Sequence, residues 1–188
     1  MKKQILLIAT ALLLSFSVQA QDLVYEKGDN IFNAGFGLGY YGYGALGTRS
    51  FSVPAITANY EVGIHEYFGV GPYAGFAKWN YRSNIYGYDY GFSIFTIGGR
   101  GSFHFSSLLN EALDMGIDDS KLDLYIALLM GMEFQTYSGD YGNQEGDVDL
   151  KFGPVFGVRY YLSNNFGLYF EGGRGSLGWA TFGLSLKM

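Results

Sequence analysis

Hydrophobic residues recur at every second position through Leu122 to Phe134, LDLYIALLMGMEF. Leu122, Leu124, Ile126, Leu128, Met130, Met132 and Phe134 form one row, and Asp123, Tyr125, Ala127, Leu129, Gly131 and Glu133 form the other. Period two is the pattern of a β-strand with one apolar face. These 13 residues at roughly 3.3 Å each extend about 43 Å, and a tilt near 45° projects them onto about 30 Å, the hydrocarbon thickness of a bilayer. As a helix the same stretch would reach only about 20 Å. The apolar row suits lipid, and the other row, with its two carboxylates, suits an enclosed lumen.

The same alternation marks seven more segments. From Ile31 to Tyr40, Phe32, Ala34, Phe36, Leu38 and Tyr40 share one face and Asn33, Gly35, Gly37 and Gly39 the other. From Ser52 to Ile64, Ile56, Ala58, Tyr60, Val62 and Ile64 point outward and Thr57, Asn59 and Glu61 inward; after a tight turn at His65 and Glu66, Phe68 to Trp79 follows with Phe68, Val70, Pro72, Ala74 and Phe76 outward. Pro54 and Pro72 each delete a ladder hydrogen bond, so bulges are expected at both. In the fourth strand Phe95, Ile97, Phe103 and Phe105 face out and Thr96, Arg100, Ser102 and His104 face in. The sixth runs from Leu150 to Leu162 with Lys151 and Arg159 inward, the seventh from Asn165 to Gly172 with Tyr169 and Glu171 inward, and the eighth from Leu177 to Met188. Residues 106–120 break the pattern: Leu108, Leu109, Ala112 and Leu113 are spaced as in a helix behind Ser107 as N-cap, with Gly116 as the stop. The prediction is an all-β, eight-stranded antiparallel transmembrane β-barrel with a short periplasmic helix between strands 4 and 5. An even strand count returns both termini to the periplasmic side, so the loops near 41, 80, 138 and 173 face outward.

Composition fits this reading. A mean hydropathy of +0.07 and the lack of a long apolar run after residue 20 exclude a helical membrane protein, whereas a barrel needs only alternate apolar residues. The 29 Gly, 17 Tyr and 16 Phe suit strands, tight turns and aromatic girdles. Residues 1–20 carry Lys2 and Lys3, an apolar run and a Val-Gln-Ala ending, the pattern of a cleavable signal peptide. Residues 21–29 read as a periplasmic lead-in and 30–188 as the barrel domain. Cleavage leaves ten basic side chains against 17 acidic ones, net −7, which speaks against a nucleic-acid partner. With no cysteine, stability must come from something other than disulfides, such as a closed sheet.

The signal peptide, eight amphipathic strands and closing strand FGLSLKM resemble the small bacterial outer-membrane β-barrel (porin-like) proteins of the OmpA/OmpX/OmpW type. The resemblance covers the whole mature chain and is architectural. It implies residence in the outer membrane of the cell envelope and insertion by the barrel-assembly machinery. Such barrels commonly end in an aromatic residue, and this chain ends in Met188 behind Leu184 and Leu186.

An eight-stranded barrel is just wide enough for its own side chains, so a wide channel is not expected. The inward charges are Glu61, Arg100, Asp123, Glu133, Lys151, Arg159 and Glu171, and such charges must pair. Glu61, Arg100, Asp123 and Arg159 should share the periplasmic half, with Glu171 slightly higher and Glu133 and Lys151 together toward the outside. A network of this kind plugs the barrel; a narrow water-filled porin for small solutes is the competing reading. The family resemblance adds a third, a hydrophobic conduit opening sideways to lipid. Residues 37–42 match GxGxxG but open no helix, so no nucleotide site is assigned. His65 and His104, the only two histidines, read as structural, and no Ser, His and carboxylate are expected at one depth, so no catalytic residue is assigned. The acidic loop with Asp140, Asn143, Glu145, Asp147 and Asp149 lacks the spacing of a Ca²⁺ loop; no metal or other cofactor is assigned. Tyr40, Tyr41, Trp79, Tyr88, Tyr90 and Tyr137 should form an outer aromatic rim. Arg49, Arg82 and Arg174 could meet lipid phosphates there, the expected partners being the lipid bilayer and lipopolysaccharide, and the loops 41–50, 80–90 and 138–149 could bind a surface ligand. The role expected is non-enzymatic, structural or interaction-mediating.

Overall fold

The computed structural model describes residues 23–38, 49–82, 89–139, 146–173 and 177–188. Eight strands run in chain order: β1 (Asn30–Leu38), β2 (Arg49–Gly63), β3 (Phe68–Arg82), β4 (Asp89–His104), β5 (Leu122–Gly139), β6 (Asp147–Ser163), β7 (Phe166–Gly173) and β8 (Ala180–Lys187). One helix, α1 (Ser106–Leu113), stands between β4 and β5. Each strand pairs antiparallel with its sequence neighbour, and β1 pairs with β8 from Ile31↔Lys187 to Leu38↔Ala180, which closes the barrel. The signal-peptide segment and the rim residues Tyr40, Tyr41 and Tyr88 lie outside the described residues.

Alternation sets the two faces as its period requires. Leu128, Met130, Met132 and Phe134 of β5 are exposed while Asp123, Tyr125, Ala127, Leu129 and Glu133 are buried. The exposed row continues around the wall through Phe36, Ile56, Val70, Phe76, Ile97, Phe156, Leu168, Phe170, Phe182 and Leu184. The sheet is taller on one side. β5 has 18 residues, whereas β7 and β8 have 8 each, about 59 Å against 26 Å along the strand. β5 therefore outruns the 13 residues of its strictly alternating core, because Gln135, Thr136, Tyr137 and Ser138 continue the ladder with β4 after the outward row turns polar.

Several boundaries and turns differ from expectation. β3 and β4 pair as far as Arg82↔Asp89, so pairing enters both ends of the loop expected over 80–90, and the pairing Gln135↔Asp147 enters the loop expected over 138–149 in the same way. Arg49 and Ser50, expected in a loop, pair with Arg82 and Tyr81. β8 begins at Ala180, not Leu177, and Leu177 is instead buried within the barrel. The bulge at Pro54 is present as a register shift between Val53 and Ile56, but at Pro72 the register is unchanged from Asn59↔Tyr73 to Val62↔Val70. Losing one N–H interrupts a ladder without requiring an inserted residue.

α1 starts at Ser106, two residues earlier than a Ser107 cap would place it. Phe105 is the N-cap residue, and no side chain caps the helix. Ser106 Oγ instead accepts the Leu124 N–H at 2.6 Å, stitching the helix to β5. The helix stops at Asp114, whose left-handed backbone (φ 47°) returns an N–H to the Asn110 carbonyl, ahead of Gly116. Asn110 sets this end: Oδ1 accepts the Ile117 N–H at 2.8 Å and Nδ2 donates to the Ile117 carbonyl at 2.6 Å.

Candidate functional site: a closed lumen

The inward rows of five strands converge in the half of the barrel that carries the termini. Glu61 comes from β2, Arg100, Ser102 and His104 from β4, Asp123 and Tyr125 from β5, Arg159 from β6 and Glu171 from β7; all are buried. Arg159 is fully buried at their centre, with Nη2 3.1 Å from Glu61 Oε2 and Nη1 2.9 Å from Asp123 Oδ2. β6 and β2 are four strands apart in a ring of eight, so the Arg159–Glu61 pair crosses the full width of the lumen. Arg100 Nη1 meets Glu171 Oε1 at 2.7 Å, and its Nε stands 3.6 Å from Glu61 Oε2. The Tyr125 ring packs against both guanidinium groups, 4.4 Å from Arg159 and 5.4 Å from Arg100, and its hydroxyl donates to Glu171 at 2.8 Å.

These side chains fit because glycines make room. A Cβ at Gly157 would fall on the Tyr125 ring, and one at Gly35 on the Tyr169 hydroxyl. Long side chains on one wall thus occupy the space left by absent ones on another.

Five of the seven charges expected in the lumen, Glu61, Arg100, Asp123, Arg159 and Glu171, meet in one network. Glu133 and Lys151 lie apart, in the opposite half, with Lys151 Nζ 3.5 Å from Glu133 Oε1. There Gln135 Nε2 donates to Glu133 Oε1 at 2.9 Å, and the Tyr137 hydroxyl donates to Gln135 Oε1 at 2.8 Å. In the same half Ala55, Ala77, Phe92, Ile94 and Leu177 form a buried cluster against which Trp79 and Tyr137 pack. Trp79 and Tyr137 share the inward parity of Ala77 and Gln135, so they line the lumen and do not anchor a lipid-facing rim. Of Tyr90 the structure describes the backbone, paired with Gly139 and Tyr81.

The terminal mouth is closed by a segment that alternation does not reveal. Val24 and Tyr25 pack with Ile31 and Tyr161 in a buried cluster. Burial and the nearby Glu61 carboxylate push the Tyr25 phenol above its ordinary range. His104 lies beneath Tyr25, with Nδ1 2.8 Å from Asp123 Oδ1 and Nε2 3.0 Å from Glu61 Oε1 and 3.1 Å from Ser102 Oγ. This corrects the expectation that no Ser, His and carboxylate share a depth: β4 presents Ser102 and His104 two residues apart on its inward face, and Asp123 of the neighbouring β5 reaches the ring. The nitrogen that would have to take the serine proton is, however, also held by Glu61, and Tyr25 covers the ring. Among the described residues no group of three His, Asp or Glu is disposed to hold a metal ion.

Sequence reasoning did not join Tyr125, His104 or Tyr25 to the site. The inward parity of the first two was visible, but their partners two strands away, Glu171 for Tyr125 and Glu61 for His104, have no signal in the chain. The polar run that carries Tyr25 has no period at all.

No family model and no curated protein matches the chain. Among solved structures, Ail, the attachment invasion locus protein of Yersinia pestis, superposes with a TM-score of 0.51 at 13% identity, covering 86% of this chain and 95% of that one. The N-terminal β-barrel domain of Pseudomonas aeruginosa OprF gives 0.50 at 10% identity, covering 87% and 98%. OprG of Pseudomonas aeruginosa gives 0.48 at 10%, covering 89% and 99%. At these identities the likeness is one of fold, and it agrees with the closed antiparallel ring and its exposed apolar exterior: in fold, the protein is a small eight-stranded β-barrel of the bacterial outer-membrane type.

Proposed function

We propose that the mature protein is an integral outer-membrane barrel with a sealed lumen, non-enzymatic, whose role is structural or is exercised through the segments joining its strands on the outer side. In this reading residues 1–20 are the export signal, 21–29 the periplasmic lead-in and 30–188 the barrel, inserted by the barrel-assembly machinery among phospholipid and lipopolysaccharide. The Arg159–Glu61 pair carries the proposal. A fully buried guanidinium that spans the lumen and is held by two carboxylates stacks the charge network across the path a solute would take. The Ail structure contains the heparin analogue sucrose octasulfate, which supports looking for a surface ligand here too. The acidic balance of this chain, net −5 over its full length, favours a neutral or cationic ligand over a polysulfated one.

Planar-bilayer conductance of the refolded mature protein, beside Arg100→Ala and Arg159→Ala, tests the seal. A silent parent with current in the variants is expected. Large, stable currents in the parent would overturn the sealed lumen and make the protein a narrow porin for small solutes.

A further inference from the structure

Helix α1 presents two unlike faces. At about 100° per residue, Ser107, Asn110, Glu111 and Asp114 fall on one side and Leu108, Leu109, Ala112 and Leu113 on the other. At one edge of the polar side Ser107 lines a small recess in the mouth of the barrel with Glu66, Asp119 and Tyr25; Asn110 is tied to Ile117, and Glu111 and Asp114 are exposed to solvent. The apolar side therefore points away from the mouth. Leu108 and Leu113 are exposed, and so is Met115 in the turn that follows.

This face continues the lipid-facing belt. Phe105, the residue before the helix, has its ring 6.2 Å from Phe103, which stands 5.1 Å from Phe68 and 6.5 Å from Tyr67. Such aromatic girdles mark the level at which a barrel leaves the hydrocarbon. A helix of 8 residues is marginal in water by itself, and an amphipathic helix starting at that level, apolar side outward, has the geometry of an interfacial element.

We propose that α1 and the turn over 113–117 form an anchor lying in the plane of the periplasmic leaflet, with Leu108, Leu113 and Met115 against phospholipid acyl chains and Ser107, Asn110 and Glu111 toward water. The ligand is a phospholipid surface. Glu111, Asp114, Asp118 and Asp119 make it a zwitterionic rather than an anionic one. The proposal rests on the membrane-spanning reading above.

The chain has no cysteine, so single-site labelling is clean. Leu113→Cys and Met115→Cys would carry a polarity-sensitive fluorophore in phosphatidylcholine vesicles whose acyl chains are brominated either near the headgroup or near the chain end. Leu128→Cys on the belt and Asn164→Cys in the β6–β7 turn are the lipid and water references. The expected result is blue-shifted emission at positions 113 and 115, quenched severalfold more than at 164 and best by the shallow bromines, with position 128 quenched best by the deep ones. Emission at 113 and 115 matching that at 164 would overturn the anchor while leaving the barrel in the membrane. A blue shift without bromine quenching would overturn it too, since protein and not lipid would then cover the face. Absence of quenching at 128 would overturn both the anchor and the membrane-spanning reading.

Discussion

Tyr25 lies flat on His104, ring centroids 3.5 Å apart and planes 7° from parallel. The lead-in is thereby a cork. Its backbone is hooked by Val24 N–H to the Asp119 carbonyl at 2.9 Å and by Gly28 N–H to the Gly63 carbonyl at 2.8 Å, and Lys187 Nζ holds Asp29 Oδ2 at 2.8 Å. Truncating the buried ring removes both its burial and its stack. Tyr25→Ala should destabilise the refolded barrel by about 3 kcal/mol, read as a lower urea midpoint in detergent. Tyr25→Phe should cost less than about 1 kcal/mol, because among the described residues the buried hydroxyl has no hydrogen-bond partner to lose.

The same ring predicts an alkaline effect. Its folded-state pKa lies above the ordinary phenol value of about 10. The folded protein therefore disfavours the phenolate, and the contribution of Tyr25 is fully present below pH 10 and is lost as pH rises beyond it. Stability measured from pH 8 to 11.5 should fall more steeply above about pH 10 in the parent than in Tyr25→Phe, which has no phenol at that site. Parallel curves for the two proteins would refute the shift.

Arg159 joins Glu61 and Asp123 with no water-exposed surface on any of the three side chains beyond 1%. Removing the cation leaves two carboxylates buried against each other, which costs about 3–5 kcal/mol for a broken buried pair. Arg159→Met should show this loss in equilibrium unfolding, and adding Glu61→Gln should recover part of it. A double variant no more stable than the single one would mean that the two residues are not energetically coupled.

The parity of β5 was legible in the chain because lipid outside and packed side chains inside impose one rule on every residue from Leu122 to Phe134. That rule also placed Arg159 and Glu61 inside. It could not pair them, since 98 residues separate them and only closure of the ring brings β6 opposite β2. Trp79 and Tyr137 lie near strand ends, where aromatic residues suggest a girdle, but their positions fall on the inward row, against the buried cluster. Leu177 and Tyr25 lie outside regular strands, where no period exists to betray burial.

Gly157 gives the packing a direct test. A methyl there would meet the Tyr125 ring, which is pinned by Glu171 and two guanidinium groups and cannot yield. Gly157→Ala should cost about 1–3 kcal/mol by overpacking, and Gly157→Ala combined with Tyr125→Leu should lose less than the sum of the two single changes. Strict additivity would show that the two positions do not contend for the same space.

Leu128 and Leu162 both point out of the barrel, 50% and 60% exposed, but they differ in depth: Leu128 sits in the middle of the outward row of β5, whereas Leu162 lies one residue from the end of β6, beside the turn to β7. In water a lysine at either position would be tolerated within about 0.5 kcal/mol, as surface changes usually are. In a bilayer the two diverge, because a cation at the midplane costs about 2–4 kcal/mol and one near the interface about 0–1 kcal/mol. Unfolding of Leu128→Lys and Leu162→Lys in phospholipid vesicles should therefore separate by at least about 1 kcal/mol, with Leu128→Lys the less stable. Equal effects would contradict a belt that spans the membrane, since exposure alone predicts small and similar changes at the two positions.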